Sequence, residues 1–311
     1  MNPMVGAIKS RLPWWSKIGA KLVLSRLPAA YAIWQRLGLF RHGYMDTAQY
    51  ALGVFSSHVE RAGLTGRLAG WPAGRLAGKT VLELGPGDSV ATALIAKAFG
   101  ARAILVDAGA FARPDIAAYR PLADALRTAG LAPPPLDNVK TLDDLLAACD
   151  ASYLTQGLAS LRAIADESVD LVFSQAVLEH VRKHEFLETQ RALARLLKPD
   201  GVCSHRVDLR DHLGGGLNNL RFSERLWESP FFAGAGFYTN RIGFDGMLQA
   251  FEQAGFQSQV TEVRRWDRLP IDRRHLADEF RPIPDDVLTV CGFDVVLRRS
   301  AGPAAGAQPD A

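Results

Sequence analysis

Residues Leu82 to Ser89 read Leu-Glu-Leu-Gly-Pro-Gly-Asp-Ser, two close glycines with a carboxylate just before them. Glycine lets a ligand approach the backbone and tolerates unusual dihedrals at little cost. Pro86 stiffens the turn. A helix starting near Ser89 would point its free N–H groups into the same space. By itself this turn is only a generic nucleotide signal. Two carboxylates narrow it. Glu83 lies two residues before Gly85, and Asp107 ends the next apolar run, about 20 residues past the turn, where a carboxylate can accept both hydroxyls of a ribose. A pyrophosphate-binding loop has the pattern G-x-G-x-x-G, and the third glycine position here is Val90. A cationic ligand without phosphates suits this acidic turn better. An NAD-dependent oxidoreductase is the rival reading, and the missing glycine argues against it.

A second group of reactive side chains is Ser204-His205-Arg206-Val207-Asp208-Leu209-Arg210-Asp211-His212. It closes an apolar run at the end of a strand, which in an open α/β sheet faces the ligand crevice. Strand alternation puts His205 and Val207 on one side, Arg206 and Asp208 on the other. His205, Asp208 and His212 are metal-ligand types, but a metal would need them to converge, and none is expected. General base chemistry is the preferred reading for His180, His205 and His212, with Asp208 beside them, because histidine titrates near neutrality. A purely structural role for the histidines is the plain alternative. Gly214-Gly215-Gly216-Leu217-Asn218-Asn219 then reads as a mobile lid or a flexible connection. Phe222, Trp227, Phe231, Phe232, Phe237 and Tyr238, with Asn240 and Arg241, read as a substrate wall or as a hydrophobic cap.

The elements that must position these residues alternate. Thr80–Leu84, Ala103–Val106, Val169–Phe173, Val202–Val207, Ser258–Val263 and Val290–Leu297 are short apolar runs of strand type. Val90–Phe99, Ala176–Leu197 and Phe244–Ala254 pattern as helices, Lys198-Pro199-Asp200-Gly201 as a turn and Gly255 as a helix stop. Such alternation predicts an α/β, doubly wound, mostly parallel sheet with helices on both faces. Residues 1–75 form an N-terminal helical extension, in which Asp46 caps a helix through Tyr50, Val54 and Phe55. Residues 76–299 form the main domain, with a helical insertion at about 109–150 and a lid or substrate segment at about 209–243. Residues 300–311 lack large apolar groups and read as a disordered tail.

Glu-x-Gly-x-Gly, the acidic end of the second strand, Val169-Asp170-Leu171-Val172-Phe173-Ser174, Leu178-Glu179-His180-Val181 and Leu197-Lys198-Pro199-Asp200-Gly201 together resemble the class I S-adenosylmethionine-dependent methyltransferases from about residue 79 to 208. The closing strands fit to about 298, completing a seven-stranded sheet. The resemblance implies S-adenosyl-L-methionine as cofactor. Gly85 and Gly87 would pass under its methionine part, Glu83 would approach the ammonium group, Asp107 would bind the ribose and Ala108 would lie near the adenine. The family often has an acidic residue after strand three, here Ser152–Leu154. This sequence has Gln156-Gly157-Leu158 instead, which leaves the adenine pocket open. Ser174 and Gln175 would line the site. A non-catalytic scaffold of the same fold is a further alternative, which the intact cofactor turn disfavours.

Composition bounds the rest. The net charge of +3 hides seven basic and no acidic residues from Met1 to Met45, so +3 minus +7 leaves −4 for the remainder. The basic, Trp-rich start suggests a lipid-linked or anionic acceptor, such as a small-molecule or lipid-linked saccharide, and peripheral contact of residues 9–41 with an anionic membrane. Nucleic acid is not expected as a partner, since no binding motif appears. No apolar run reaches the ~18 residues of a membrane span. No signal peptide is read, and the cytoplasm is the expected compartment. Cys149, Cys203 and Cys291 are too scattered for a disulfide framework or zinc site.

Overall fold

A computed structural model describes Met45, residues 47–64 and residues 75–300. Most of the N-terminal extension, Asp46 and the tail after residue 300 lie outside the described residues, so the readings placed there are carried by sequence alone. Among the described residues no helix is long and apolar enough to cross a membrane, and the three cysteines are free.

Seven strands form one sheet: β1 (Thr80–Leu84), β2 (Arg102–Val106), β3 (Ala151–Leu154), β4 (Val169–Gln175), β5 (Leu197–Asp208), β6 (Phe256–Arg265) and β7 (Val290–Arg299). The order is β3-β2-β1-β4-β5-β7-β6, and β7 runs antiparallel to β5 and β6. This is the Rossmann-like order of the class I methyltransferases. The chain steps outward from β1 to β3, then returns to place β4 on the other side of β1. The crevice opens at that reversal, past the carboxyl ends of the strands.

Burial follows from this arrangement. β1, β2 and β4 are covered on both faces and are nearly all buried. Side chains alternate between two cores: Val81 joins one face and Leu82 the other. The first core gathers α1 (Ala48–Arg61), α2 (Ala91–Ala98), α3 (Arg120–Thr128) and α4 (Leu142–Ala148). The second gathers α5 (Leu158–Ala163), α6 (Phe186–Leu196) and α9 (Phe244–Gln253). Short helices α7 (Glu224–Trp227), α8 (Pro230–Ala233) and α10 (Asp285–Leu288) complete the fold. The edge strand β6 is mostly exposed and polar, a composition that blunts edge-to-edge pairing.

Three local expectations change. Residues 198–201, expected as a turn, run within β5, which spans Leu197–Asp208. The helix expected from Ala176 is instead two short 3-10 turns, Leu178–His180 and Lys183–Glu185, before α6. Ala176 takes φ 55°, and Asn240 occupies the carbonyls that a helix would use. Its side-chain amide donates to Leu178 O at 2.8 Å and Val181 O at 3.0 Å, and its backbone N–H donates to Glu179 O at 2.7 Å. The helix through Tyr50, Val54 and Phe55 has Thr47 at its N-cap, with no side-chain capping bond. That helix, α1, belongs to the main core. Phe55 stacks on Phe99 at 5.9 Å and meets Phe173 edge-on at 6.1 Å.

Two buried histidines fasten opposite faces of the sheet. His58 of α1 hydrogen-bonds Ser204 Oγ through Nδ1 (2.8 Å) and Gln175 Oε1 through Nε2 (3.1 Å), and stacks on Phe173. His205 of β5 hydrogen-bonds Ser174 Oγ through Nδ1 (2.8 Å) and lies parallel to Phe251. Burial pushes each imidazole down to about 3, with the Arg61 charge adding to the effect at His58. The unfolded chain therefore takes up these protons first, so stability falls as pH drops from about 6.5 toward 3. His205→Asn retains a polar partner for Ser174 but cannot titrate. Thermal melts are expected to show the variant losing less Tm than the parent on acidification through this window; parallel curves would refute the coupling.

Candidate active site

A cleft of about 990 Å3 lies across the strand ends, at the upper end of the ~300–1,000 Å3 usual for ligand sites. Glu83, Gly85, Pro86, Gly87, Asp107, Ala108 and Gln175 line one part of it. Gly85 and Gly87 have φ of 73° and 64°, a region that disfavours any side chain. A Cβ at Gly85 would also lie 2.5 Å from Val177 Cγ2. The turn is tied to β2 on both sides: Gly85 N–H donates to Val106 O (2.8 Å), and Gly87 N–H donates to Asp107 Oδ2 (2.9 Å). Asp107 Oδ1 accepts from Ala108 N–H at 2.7 Å. These two bonds orient the Asp107 carboxylate on the cleft wall, at the end of β2 where a ribose diol would be held.

Glu83 is buried, and its Oε2 has no hydrogen-bond partner among the described residues. Burial pushes its carboxyl up to about 8, Thr92 opposes the rise and the Asp107 charge adds to it. An orphaned buried carboxylate on a cavity wall fits a cationic ligand. This observation, with the glycine cradle and the oriented Asp107, fits S-adenosylmethionine.

The remaining cofactor candidates sit behind the wall or beside it. Gly157 N–H donates to Asp107 O at 2.8 Å, so Gln156, Gly157 and Leu158 adjoin Ala108 without lining the cleft. Ser89 does not line the cleft: it is buried and accepts from Ala91 N–H at 3.2 Å at the start of α2. Ser174 is buried against His205, one residue too early to reach the cleft. Gln175 does reach it, oriented by His58.

The catalytic candidates separate by face. His180 and His212 line the cleft with their Nε2 atoms 3.1 Å apart and their rings stacked at 4.8 Å. His180 Nδ1 donates to Tyr238 O at 2.9 Å; a carbonyl only accepts, so the proton sits on Nδ1 and Nε2 faces His212. Asp208 is on the same wall, gripped by Arg210 Nε and Nη2 at 2.8 and 2.7 Å. Burial works against its charge, but Arg210, and secondarily His212, hold its carboxyl below the usual carboxylate range. The His205 side chain does not line the cleft. The strand period turns it onto the opposite face, fully buried and away from the cleft. His205, Asp208 and His212 therefore do not converge, and among the described residues no three metal-ligating side chains are grouped. Glu179, beside His180, is buried with both carboxylate oxygens unpartnered among the described residues, and burial pushes it up to about 8.

The Gly214–Asn219 segment is organised by a carboxylate. Asp211 accepts from the backbone N–H groups of Leu213 (2.9 Å), Gly215 (3.0 Å) and Asn218. Most of the aromatic run forms a separate small core around Trp227, Phe232 and Phe237, and Tyr238 is the ring among them that lines the cleft. Arg241 closes this cap, with its Nη1 donating to Phe222 O at 2.6 Å and its guanidinium 5.2 Å from the Trp227 ring and 4.9 Å from the Phe280 ring. The cap reading thus describes the segment better than a substrate wall. The sequence reading also missed His58, Arg182 and Arg264. Nothing in their local spacing marks them, and only tertiary contacts bring them to the cleft or to Gln175.

Residues 58–261, about two thirds of the chain, match a family model described as a methyltransferase domain. No curated protein matches the chain. Among solved structures it is similar to an S-adenosylmethionine-dependent methyltransferase from Methanosarcina mazei (15% identity, 72% of this chain and 93% of that one, TM-score 0.42). It is also similar to the YcgJ protein from Bacillus subtilis (16%, 73% and 94%, TM-score 0.39). A third is an arsenic(III) S-adenosylmethionine methyltransferase from Chlamydomonas reinhardtii (18%, 77% and 69%, TM-score 0.39). The assignment rests on the sequence match, whose span contains the glycine turn, Asp107 and the paired histidines. The chain belongs to the methyltransferase-domain family and is an enzyme that takes its methyl group from S-adenosylmethionine.

Proposed function

We propose that the methyl group goes to a hydroxyl, in preference to an amine, of a small-molecule, saccharide or lipid-linked acceptor, and that His180 and His212 act together as the base. The observation carrying this reading is the 3.1 Å contact between their Nε2 atoms on the cleft wall. Bound S-adenosylmethionine supplies an electrophilic sulfonium methyl, so the protein's work is positioning and proton removal. The Tyr238 carbonyl fixes the tautomer of His180, which then accepts from His212. A proton taken from the acceptor hydroxyl is shared by the pair, and the nearby Asp208 carboxylate stabilises the resulting imidazolium. Asp107 and Glu83 hold the ribose and ammonium groups of the cofactor.

Labelled methyl transfer to a panel of hydroxyl acceptors, at saturating cofactor, tests the base. H180A and H212A are each expected to lower kcat by ~10²–10⁴-fold, and H205A to act only through stability. Unchanged kcat in both H180A and H212A would rule the pair out.

Glu83 gives a second readout. Its raised value keeps the carboxyl largely protonated near neutrality, and an ammonium beside it favours the carboxylate. Cofactor binding should then release a proton, with affinity rising as pH climbs toward about 8. Calorimetry in two buffers of different ionisation enthalpy is expected to show release in the parent and none in E83Q. Equal release in both would remove Glu83 from this role. Peripheral membrane contact through residues 9–41 rests on the basic character of that segment; liposome flotation is expected with anionic lipid and not with neutral lipid.

A further inference from the structure

The wall of the cleft at β5 and β6 is basic. Arg182, Arg206, Arg210 and Arg264 line it. Asp208 matches Arg210 with two bonds, but the other three are undermatched. Arg206 and Arg264, with Arg61 of α1, share one buried carboxylate, Asp294, at 3.9, 2.9 and 3.0 Å. Exposed Glu262 lies 3.3 Å from Arg264. Arg182 sits 4.7 Å over the Tyr238 ring and makes no ion pair among the described residues. Arg61, Arg206 and Arg264 against Asp294 and Glu262 leave one positive charge there, and Arg182 adds a further guanidinium over a ring whose hydroxyl is bonded to Glu228.

Strand register builds this group. Arg206 lies opposite Asp294 in the β5–β7 pair, and Arg264 lies opposite Gly292 in the β6–β7 pair. Gly292 is what lets Arg264 cross β7. A Cβ there would lie 2.7 Å from Val207 O and 3.2 Å from Arg264 Nη2. Through that gap Arg264 Nη2 donates to Val207 O at 3.2 Å, on the cleft wall. The guanidinium is thus laid over the strand toward the cavity.

We propose that Arg182, Arg206 and Arg264 bind an oxyanion of the methyl acceptor, a phosphate or a carboxylate, and thereby aim its nucleophile at the cofactor. This rests on the cleft being the site of methyl transfer. Guanidinium forks match the oxygens of such groups in bidentate geometry, and a partly enclosed cleft strengthens the attraction over that in open water. The charges sort the two ligands. Glu83 and Asp107, at β1 and β2, face a cationic cofactor, and the arginines, at β5, β6 and the turns after β4, face an anionic acceptor. Each ligand is repelled from the other's seat.

Calorimetry on the full chain, with inorganic phosphate and malonate as probes and ionic strength held constant with chloride, tests the proposal. Titrations are run with and without S-adenosylhomocysteine. Saturable binding of at least one probe is expected, weakened roughly tenfold in R206Q/R264Q and in R182Q, with unchanged affinity for S-adenosylhomocysteine. The probe that binds identifies the oxyanion. No saturable binding of either probe, or equal binding by parent and variants, overturns the proposal. Failure of the parent to bind S-adenosylhomocysteine while it still binds a probe would strike the cofactor reading alone. R182Q breaks no ion pair in the fold, so it decides the question even if the double variant does not fold.

Discussion

The cleft depends on the near contact between the exits of β1 and β4. At Gly85 the chain needs a positive φ, and a Cβ there would collide with Val177 at 2.5 Å. The same residue ties β1 to the end of β2 through Val106 O, and Gly87 continues the tie to Asp107. Three strand ends are thereby locked into one rigid rim. Glu83 and Asp107 owe their places to that rim, and backbone bonds fix the direction of Asp107 before any ligand arrives, which is the preorganisation that positioning chemistry requires.

The fold keeps several ionisable groups neutral by removing them from water. His58, His205, Glu83 and Glu179 are all shifted toward their uncharged forms, with burial as the largest cause. The shift alone does not mark a functional group. Access separates them: Glu83 opens on the cleft, whereas His58 and His205 are enclosed by Phe173 and Phe251. His58 still bears on the site indirectly, because its bond to Gln175 orients a side chain that does line the cleft.

Opposite the rim, the wall from β5 to the cap is held by polar groups spent on the backbone. Asp211 gathers three N–H groups of the glycine-rich segment, and Asn240 satisfies two carbonyls of the chain after β4. These bonds set the approach of His180 to His212. A triple-glycine run therefore need not be loose when a buried carboxylate supplies the order that its backbone lacks.

The cofactor half of the protein was legible in the sequence, because its signals are local. A strand, a glycine turn and a helix adjoin one another in the chain, and the acidic end of β2 follows at a fixed distance. β1 falls on its expected residues and β2, β4 and β7 within about two residues of theirs, whereas β5 begins at Leu197 and takes in the expected turn. Strand alternation also separated His205 from Asp208, and of the two it is Asp208 that lines the cleft. The acceptor half was not legible. His180 meets His212 across 32 positions, and Arg61, Arg206 and Arg264 meet at Asp294 from three separate elements. Such contacts leave no periodic trace in the sequence, since they depend on strand order and register, and these were decided only when the sheet closed around its two cores.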